Sequence, residues 1–220
     1  MADSKLTVAY WDCQAAGHPT RLLLAYHKID FEDKTYVVAE GDEWFKKDKL
    51  SLNTNFPNLP YIKDGDFVLT ESGAVIQYAA LKTGNEELLG KTKLDEIRIA
   101  QFAGVLRDQI LKLYEVTGVK EEAERDKFFE EKIAPFTEKI SKVLGDKSYC
   151  IGYLTYVDFP LAFQSDVLMR MRPEYLKKWP NLVAHRDRIW NSEGVQAYRK
   201  SRTYPKSFVP FEPFGEEKVE

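Results

Sequence analysis

The spacing of hydrophobic and polar positions changes once along this chain. In the first eighty or so residues, short strand-like runs are mixed with helical ones. Leu6 to Trp11 reads as a strand, and His18 to His27 carries Leu22, Leu23 and Tyr26 at helical spacing. Phe31 to Val38 alternates enough for a second strand. Tyr61-Ile62-Lys63, then Asp64-Gly65, then Phe67-Val68-Leu69 is the strongest local signal: two short strands about an Asp-Gly turn. Ser72 to Leu81 follows as a helix with Ala74, Val75, Tyr78 and Ala79 on its apolar face. The predicted order is β-α-β, a linker with a short helix, then β-β-α.

Thr83 to Lys93 is polar, holds Gly84 and Gly90, and reads as a linker between domains. Beyond it the strand patterns stop. Leu94 to Val116 is one long helical pattern, and Glu121 to Leu144 is another, expected to bend at Pro135, which has no backbone N–H to donate. A further helix start is marked at Thr155, with Asp158 three residues later and Leu154 able to pack on Phe159. That is a capping box, with Asp for the usual Glu, and a hydrophobic staple. The expected architecture is α+β, then all-α. The first domain covers 1–83, a linker 84–93, the helical domain 94–208 and a tail 209–220.

Composition removes several function classes. Among the 220 residues, 32 Lys+Arg face 35 Asp+Glu, a formal net charge of −3. No basic cluster stands out, so a nucleic-acid partner is not expected. Apolar runs such as Leu22 to Tyr26 are far too short to span a bilayer. The start, Met1-Ala2-Asp3-Ser4-Lys5, lacks the basic and apolar regions of a secretory signal. Cys13 and Cys150 lie far apart, which fits a reducing, cytoplasmic location better than a disulfide framework. His18, His27 and His185 give no metal-ligand spacing, so no metal is expected. Phosphate-loop, dinucleotide and serine-hydrolase motifs are absent from the sequence.

Three segments read together: Tyr10-Trp11-Asp12 before a helix with Arg21-Leu22-Leu23-Leu24; Phe56-Pro57-Asn58-Leu59-Pro60-Tyr61; and Glu71-Ser72 opening the next helix. With Trp44 and Lys49, Thr155 to Phe159, Trp179-Pro180-Asn181-Leu182 and Ala197 to Tyr204, they resemble the cytosolic glutathione S-transferases, most closely the Mu class. The resemblance runs in order over nearly the whole chain. It implies a thioredoxin-like N-terminal domain and an all-helical C-terminal one. It also implies glutathione as co-substrate, no other cofactor, a small hydrophobic electrophile as second substrate, and a homodimer.

It implies site residues too. Tyr10 is the catalytic candidate, because a phenol donating a hydrogen bond to sulfur favours the thiolate. Asn58, Leu59 and Pro60 form the edge on which the cysteinyl unit would pair as an added strand. Ser72 opens a helix whose free N–H groups suit the γ-glutamyl carboxylate, and Glu71 suits the adjacent ammonium. Trp11, Trp44 and Lys49 form a clamp on the glycyl end. Spacing from Trp44 to Phe56 is one residue longer than the Mu pattern, which leaves Lys46 and Lys47 as rivals of Lys49. Ala16, Tyr114 and Phe208 are candidates for the electrophile pocket. Phe56, an aromatic in a polar loop, is the expected key into a partner subunit. Cys13 is a rival nucleophile, read here as a packing residue.

The chain departs from the Mu pattern at Ala15, where glycine is usual, at Glu71, where many members have Gln, and at Ala100, where an aspartate reaches the partner's glutathione. Gln101 stands next to Ala100. These departures leave a second reading open: a catalytically weak transferase-like protein acting as a ligand-binding or structural subunit of a larger assembly. A glutathione-dependent isomerase or peroxidase on the same site is a third.

Overall fold

The computed structural model describes residues 5–209. Along the chain the elements are β1 (Leu6–Trp11), α1 (His18–Tyr26), β2 (Phe31–Tyr36), α2 (Lys49–Ser51), β3 (Tyr61–Asp64), β4 (Phe67–Thr70), α3 (Ser72–Lys82), α4 (Lys93–Thr117), α5 (Glu122–Phe128), α6 (Ala134–Leu144), α7 (Asp158–Met171), α8 (Pro173–Leu176), α9 (Pro180–Trp190) and α10 (Glu193–Arg199). The described residues form two compact units: 5–86 together with 191–209, and Glu87–Trp190. The segment carrying α10, which the expected boundaries assigned to the helical domain, groups with the sheet.

In the first unit, four strands lie in the order β2-β1-β3-β4, with β1 parallel to β2 and the other pairs antiparallel. The parallel pair needs a crossover, and α1 supplies it. The hairpin turn is Gly65-Asp66, since Asp64 still pairs with Phe67; Gly65 takes the positive φ of 60° that such turns favour. Val8 and Ile62 face each other across β1 and β3, both fully buried. The α1 stripe Leu22-Leu23-Leu24 is fully buried as well, and α1 packs against α3. On its other side α1 meets α10 so closely that a Cβ on Gly194 would fall 1.9 Å from the Ala25 carbonyl oxygen. Only glycine allows that approach.

One buried ion pair joins these elements. Arg21 Nε of α1 donates to Asp33 Oδ1 of β2 at 2.8 Å, with both side chains almost wholly out of solvent. Arg21 also donates to the Cys13 carbonyl at 2.9 Å, in the turn after β1. The Tyr198 hydroxyl of α10 donates to Asp33 Oδ2 at 2.7 Å.

In the second unit, α4 opens at a Thr92 cap, whose hydroxyl accepts from the Asp95 amide at 3.1 Å. The long pattern expected over Glu121 to Leu144 is a helix interrupted by a π-turn at Phe129–Ile133. Pro135 lies in the first turn of α6 just beyond it. Its ring conflicts with the carbonyl four residues back, so the preceding turn widens rather than the helix simply bending. The Tyr175 hydroxyl donates to the Phe129 carbonyl at 2.8 Å, giving this irregular turn a side-chain partner.

The capping signal at Thr155 is half realised. Asp158 Oδ2 accepts from the Thr155 amide at 2.7 Å, the reach-back that a capping box predicts. The Thr155 hydroxyl donates to the same oxygen at 3.0 Å instead of capping an amide, and α7 starts at Asp158. Asp158 Oδ1 accepts from the Cys150 amide at 2.8 Å and faces His185 Nε2 at 2.9 Å. Cys150, Asp158 and His185 thus bring metal-ligand residue types within 4.8 Å of one another, a grouping invisible in sequence. Four donors already fill the carboxylate, which reads as a helix-start network.

Asp33→Ala leaves a buried guanidinium without its anion. Breaking such a pair typically costs about 3–5 kcal/mol. Tyr198→Phe removes only one bond to a charged acceptor, worth roughly 1.5–3 kcal/mol. Denaturant unfolding is expected to rank the two variants in that order, both below wild type.

Candidate active site

Tyr10 is the next-to-last residue of β1, paired with Thr35 of β2. The turn that follows is built around its ring. Ala15 has a φ of 29°, a region that glycine enters readily and alanine does not. The sequence departure at Ala15 therefore falls where the backbone asks for glycine. Two residues on, a Cβ on Gly17 would lie 2.7 Å from the Tyr10 ring carbons, so the glycine lets the ring lie against the turn. The turn is held from two sides. Arg21 takes the Cys13 carbonyl, while the amides of Gln14 and Ala15 donate to the carbonyls of Ser207 and Phe208 at 2.9 and 3.0 Å. The Gln14 side chain adds a bond to the Pro205 carbonyl at 3.0 Å.

Burial pushes the Tyr10 phenol up to about 12, reinforced by Cys13; a backbone hydrogen bond with Ala16 and the charge of Arg21 pull the other way. Tyr10 is thus a hydrogen-bond donor throughout the physiological range, never a phenolate base. Cys13 is fully buried, and burial drives its thiol up to about 12 against the pull of Arg21. A thiol so held is a packing residue rather than a nucleophile.

The ligand edge lies on the segment before β3 and the start of α3. The Leu59–Pro60 peptide is cis. The Leu59 amide donates to Asn58 Oδ1 at 2.9 Å, so this expected edge is capped locally. Asn58 Nδ2 donates in turn to Glu71 Oε1 at 3.3 Å. Glu71 has a φ of 69°, an uncommon conformation for a residue with a side chain, and such strain concentrates at functional sites. Ser72 is the first helical residue and exposed; Glu71 occupies the cap position and makes no side-chain cap bond. The Glu71 carbonyl already takes the Ala74 and Val75 amides at 2.9 Å, and the amides of Ser72 and Gly73 stand at the open end of α3. A Cβ on Gly73 would touch nothing within 4 Å, so this end is roomy.

The clamp residues separate. Trp44 is buried at 2 % exposure, packed on Tyr36 and stacked on Tyr61 at 5.4 and 6.1 Å between centroids. Trp11 is half-buried and meets Phe45 at 5.8 Å. Lys49 lies over the Phe45 ring at 5.9 Å, whereas Lys46 pairs with Asp42 at 2.7 Å on an exposed face. Phe45 was missed by the sequence reading, because a lone aromatic among charged residues carries no periodic signal.

The pocket candidates are drawn from both units. Ala16 is half-buried beside Tyr10. Phe208 is fully buried, with its carbonyl on Ala15. Tyr114 is half-buried on α4 of the helical unit, and Ala100 and Gln101 are exposed on the same helix. Phe56 is 74 % exposed and does not fold back on its own unit, while its carbonyl accepts from the Thr70 hydroxyl at 2.8 Å.

Comparison with known proteins identifies this arrangement as a thioredoxin-like glutathione-site domain coupled in sequence to a helical domain. Residues 6–81 match the family described as glutathione S-transferase, N-terminal domain, and residues 106–202 match glutathione S-transferase, C-terminal domain. The chain is 33 % identical to the class-mu 26 kDa glutathione S-transferase of Schistosoma japonicum, over 90 % of this chain and 89 % of that one. It is 30 % identical to human glutathione S-transferase Mu 4, covering 91 % and 94 %. A Pi-class glutathione S-transferase of Onchocerca volvulus shares the fold, with a TM-score of 0.81 at 23 % identity, over 97 % of this chain and 100 % of that one. The chain belongs to the glutathione S-transferase family, and its curated relatives include Mu-class enzymes.

With Cys13 held near 12 and Cys150 pushed well above the usual thiol range by burial, neither is ionised at neutral pH. About one Cys13 in ten thousand would be thiolate at pH 8. A thiol-reactive dye is expected to leave the native protein unlabelled at pH 8 and to label both cysteines after denaturation.

Proposed function

We propose that this glutathione transferase activates the glutathione thiol through Tyr10 for attack on a small hydrophobic electrophile. The observation that carries the reading is Tyr10 itself: a half-buried phenol at the end of β1 that keeps its proton to about 12. A free thiol titrates near ~8.5. Holding it about two units lower requires roughly 2.7 kcal/mol of preference for the thiolate. A hydrogen bond to a charged acceptor supplies about 1.5–3 kcal/mol. One well-aimed phenol is therefore of the right size. The remaining catalysis is the holding together of two reactants.

In this reading the γ-glutamyl carboxylate takes the Ser72 and Gly73 amides, and Glu71 takes the ammonium. The cysteinyl backbone pairs with Leu59, displacing the local bond from its amide to Asn58. Trp11, Phe45 and Lys49 receive the glycyl end. Ala16 borders the electrophile beside Tyr10. A cytoplasmic location agrees with two free, buried cysteines. No helix among the described residues is long and apolar enough to cross a membrane.

The protein acts as a homodimer in this reading, with Phe56 as its key. A large aromatic held 74 % exposed on a short loop is an interface anchor in search of a pocket. Closed two-fold pairing is the commonest oligomer, and burying one Phe is worth roughly 1.5–3 kcal/mol.

Conjugation of glutathione to an aromatic halide tests the chemistry. Wild-type turnover is expected to rise through a single ionisation near ~6.5, the lowered thiol, and then stay level to about pH 11, because Tyr10 does not ionise below that. Tyr10→Phe should move the ionisation back toward ~8.5 and lower turnover at neutral pH by about ten- to a thousand-fold. A fully active Tyr10→Phe would remove Tyr10 from the mechanism. For the assembly, sedimentation of wild type should give a dimer and Phe56→Ser a shift toward monomer at micromolar concentration. A monomeric wild type would overturn the dimer, and a dimer unaffected by Phe56→Ser would overturn the key.

A further inference from the structure

The segment between Trp44 and Phe56 carries an irregular helix. The helical segment over 42–51 widens to a π-turn at Glu43–Asp48, and the Lys49 amide donates to the Trp44 carbonyl five residues back. A π-turn accommodates one added residue within a helix, and such turns occur often at functional sites. Helical residues are about 100° apart around the axis. The wider turn therefore rotates every later side chain of the segment by about that angle relative to an uninterrupted α-helix.

Two side chains owe their direction to this rotation. Asp48 reaches β2, where Oδ2 accepts from Lys34 Nζ and from the Tyr36 hydroxyl, each at 2.6 Å. The Tyr36 and Tyr61 hydroxyls are 3.1 Å apart, and both rings pack on buried Trp44. Hydrogen bonds from Lys34 and Tyr36 hold the Asp48 carboxyl below the usual carboxylate range, so the link persists as an ion pair at neutral pH. One residue later, Lys49 lies over Phe45, which rests on Trp11 beside Tyr10. Lys46 is turned away to Asp42.

We propose that Asp48 is a positioning residue for glutathione: it pins the π-turn to β2 and so presents Lys49, rather than Lys46 or Lys47, to the glycyl carboxylate. The proposal rests on the glutathione reading above and adds to it the device that selects one lysine of three. Asp48 touches no substrate in this account; it acts through the turn.

The discriminating probe is γ-glutamylcysteine, which is glutathione without its glycine. Wild type is expected to show a KM for γ-glutamylcysteine about tenfold or more above that for glutathione, the worth of one charged contact. Asp48→Ala should raise the KM for glutathione toward the γ-glutamylcysteine value and leave the latter nearly unchanged, so that the ratio falls toward one. Asp48→Asn, which still accepts from Tyr36 but loses the ion pair, should fall between. Lys46→Ala should keep the wild-type ratio. Merely weakened folding would affect both thiols alike and leave the ratio intact. A wild-type ratio retained in both Asp48 variants overturns the proposal, as does loss of the ratio in Lys46→Ala. A wild type that conjugates both thiols equally well overturns the glycyl clamp and this proposal with it. A wild type that conjugates neither would instead overturn the transferase reading.

Discussion

The Arg21–Asp33 ion pair is the constraint on which the sheet-bearing unit depends. Burying a guanidinium costs several kcal/mol unless the charge is matched and its donors are used. Here one side chain of α1 is matched by β2, anchors the Cys13 carbonyl, and shares its carboxylate partner with Tyr198 of α10. The carbonyl is the part that matters for chemistry, because Cys13 starts the turn that carries Ala15, Ala16 and Gly17 around Tyr10. On the opposite side, residues 205–208 take the amides and the side chain of the same turn. In the proposed mechanism the Tyr10 phenol must be held close to a productive position. This turn gains such definition from a buried charge on one flank and chain-to-chain bonds on the other.

In the helical unit, buried Asp158 is matched by different means. Asp33 has a cation; Asp158 has only neutral donors and one imidazole. The Thr155 amide and hydroxyl, the Cys150 amide and His185 Nε2 surround it. A carboxylate only accepts, so each of these groups donates. The network ties the start of α7, the chain before it and α9 together at one point. Replacing Asp158 by a residue that cannot accept would orphan several buried donors at once, each costing about 1–3 kcal/mol.

Both units also contain a π-turn, and the two have different causes. At Phe129–Ile133 a proline just beyond the turn forces the helix to widen, and Tyr175 satisfies a carbonyl there. At Glu43–Asp48 no proline is involved, and Asp48 links the wider turn to β2. In the first case the irregularity is accommodated. In the second it ties the segment carrying Lys49 to the sheet.

Much of this molecule could be read from local pattern. β1, α1, β2, the β3–β4 hairpin, α3 and α4 lie within a residue or two of where period and turn chemistry put them, because those signals need only a few neighbouring residues. Motif order carried the family, and with it Tyr10, Asn58, Glu71, Ser72 and exposed Phe56 as candidates. Pro135 announced an irregularity but not its form, since a bend and a π-turn both accommodate a ring that clashes with the carbonyl four residues back and cannot donate to it. Local pattern could not reveal that Trp44 is buried against Tyr36 and Tyr61, or that Phe45 meets Trp11. Nor could it reveal that Asp33 and Tyr198, 165 residues apart, share a hydrogen bond. Such facts depend on which faces meet after the chain has closed on itself, and residue spacing holds no record of that. The sequence by itself determined the strands and helices up to α4, their order and the kind of chemistry. Only the tertiary structure decided which lysine lies over Phe45, which indole is buried and which terminal segment holds the turn after Tyr10, because burial and long-range hydrogen bonds select among side chains that are equivalent in one dimension.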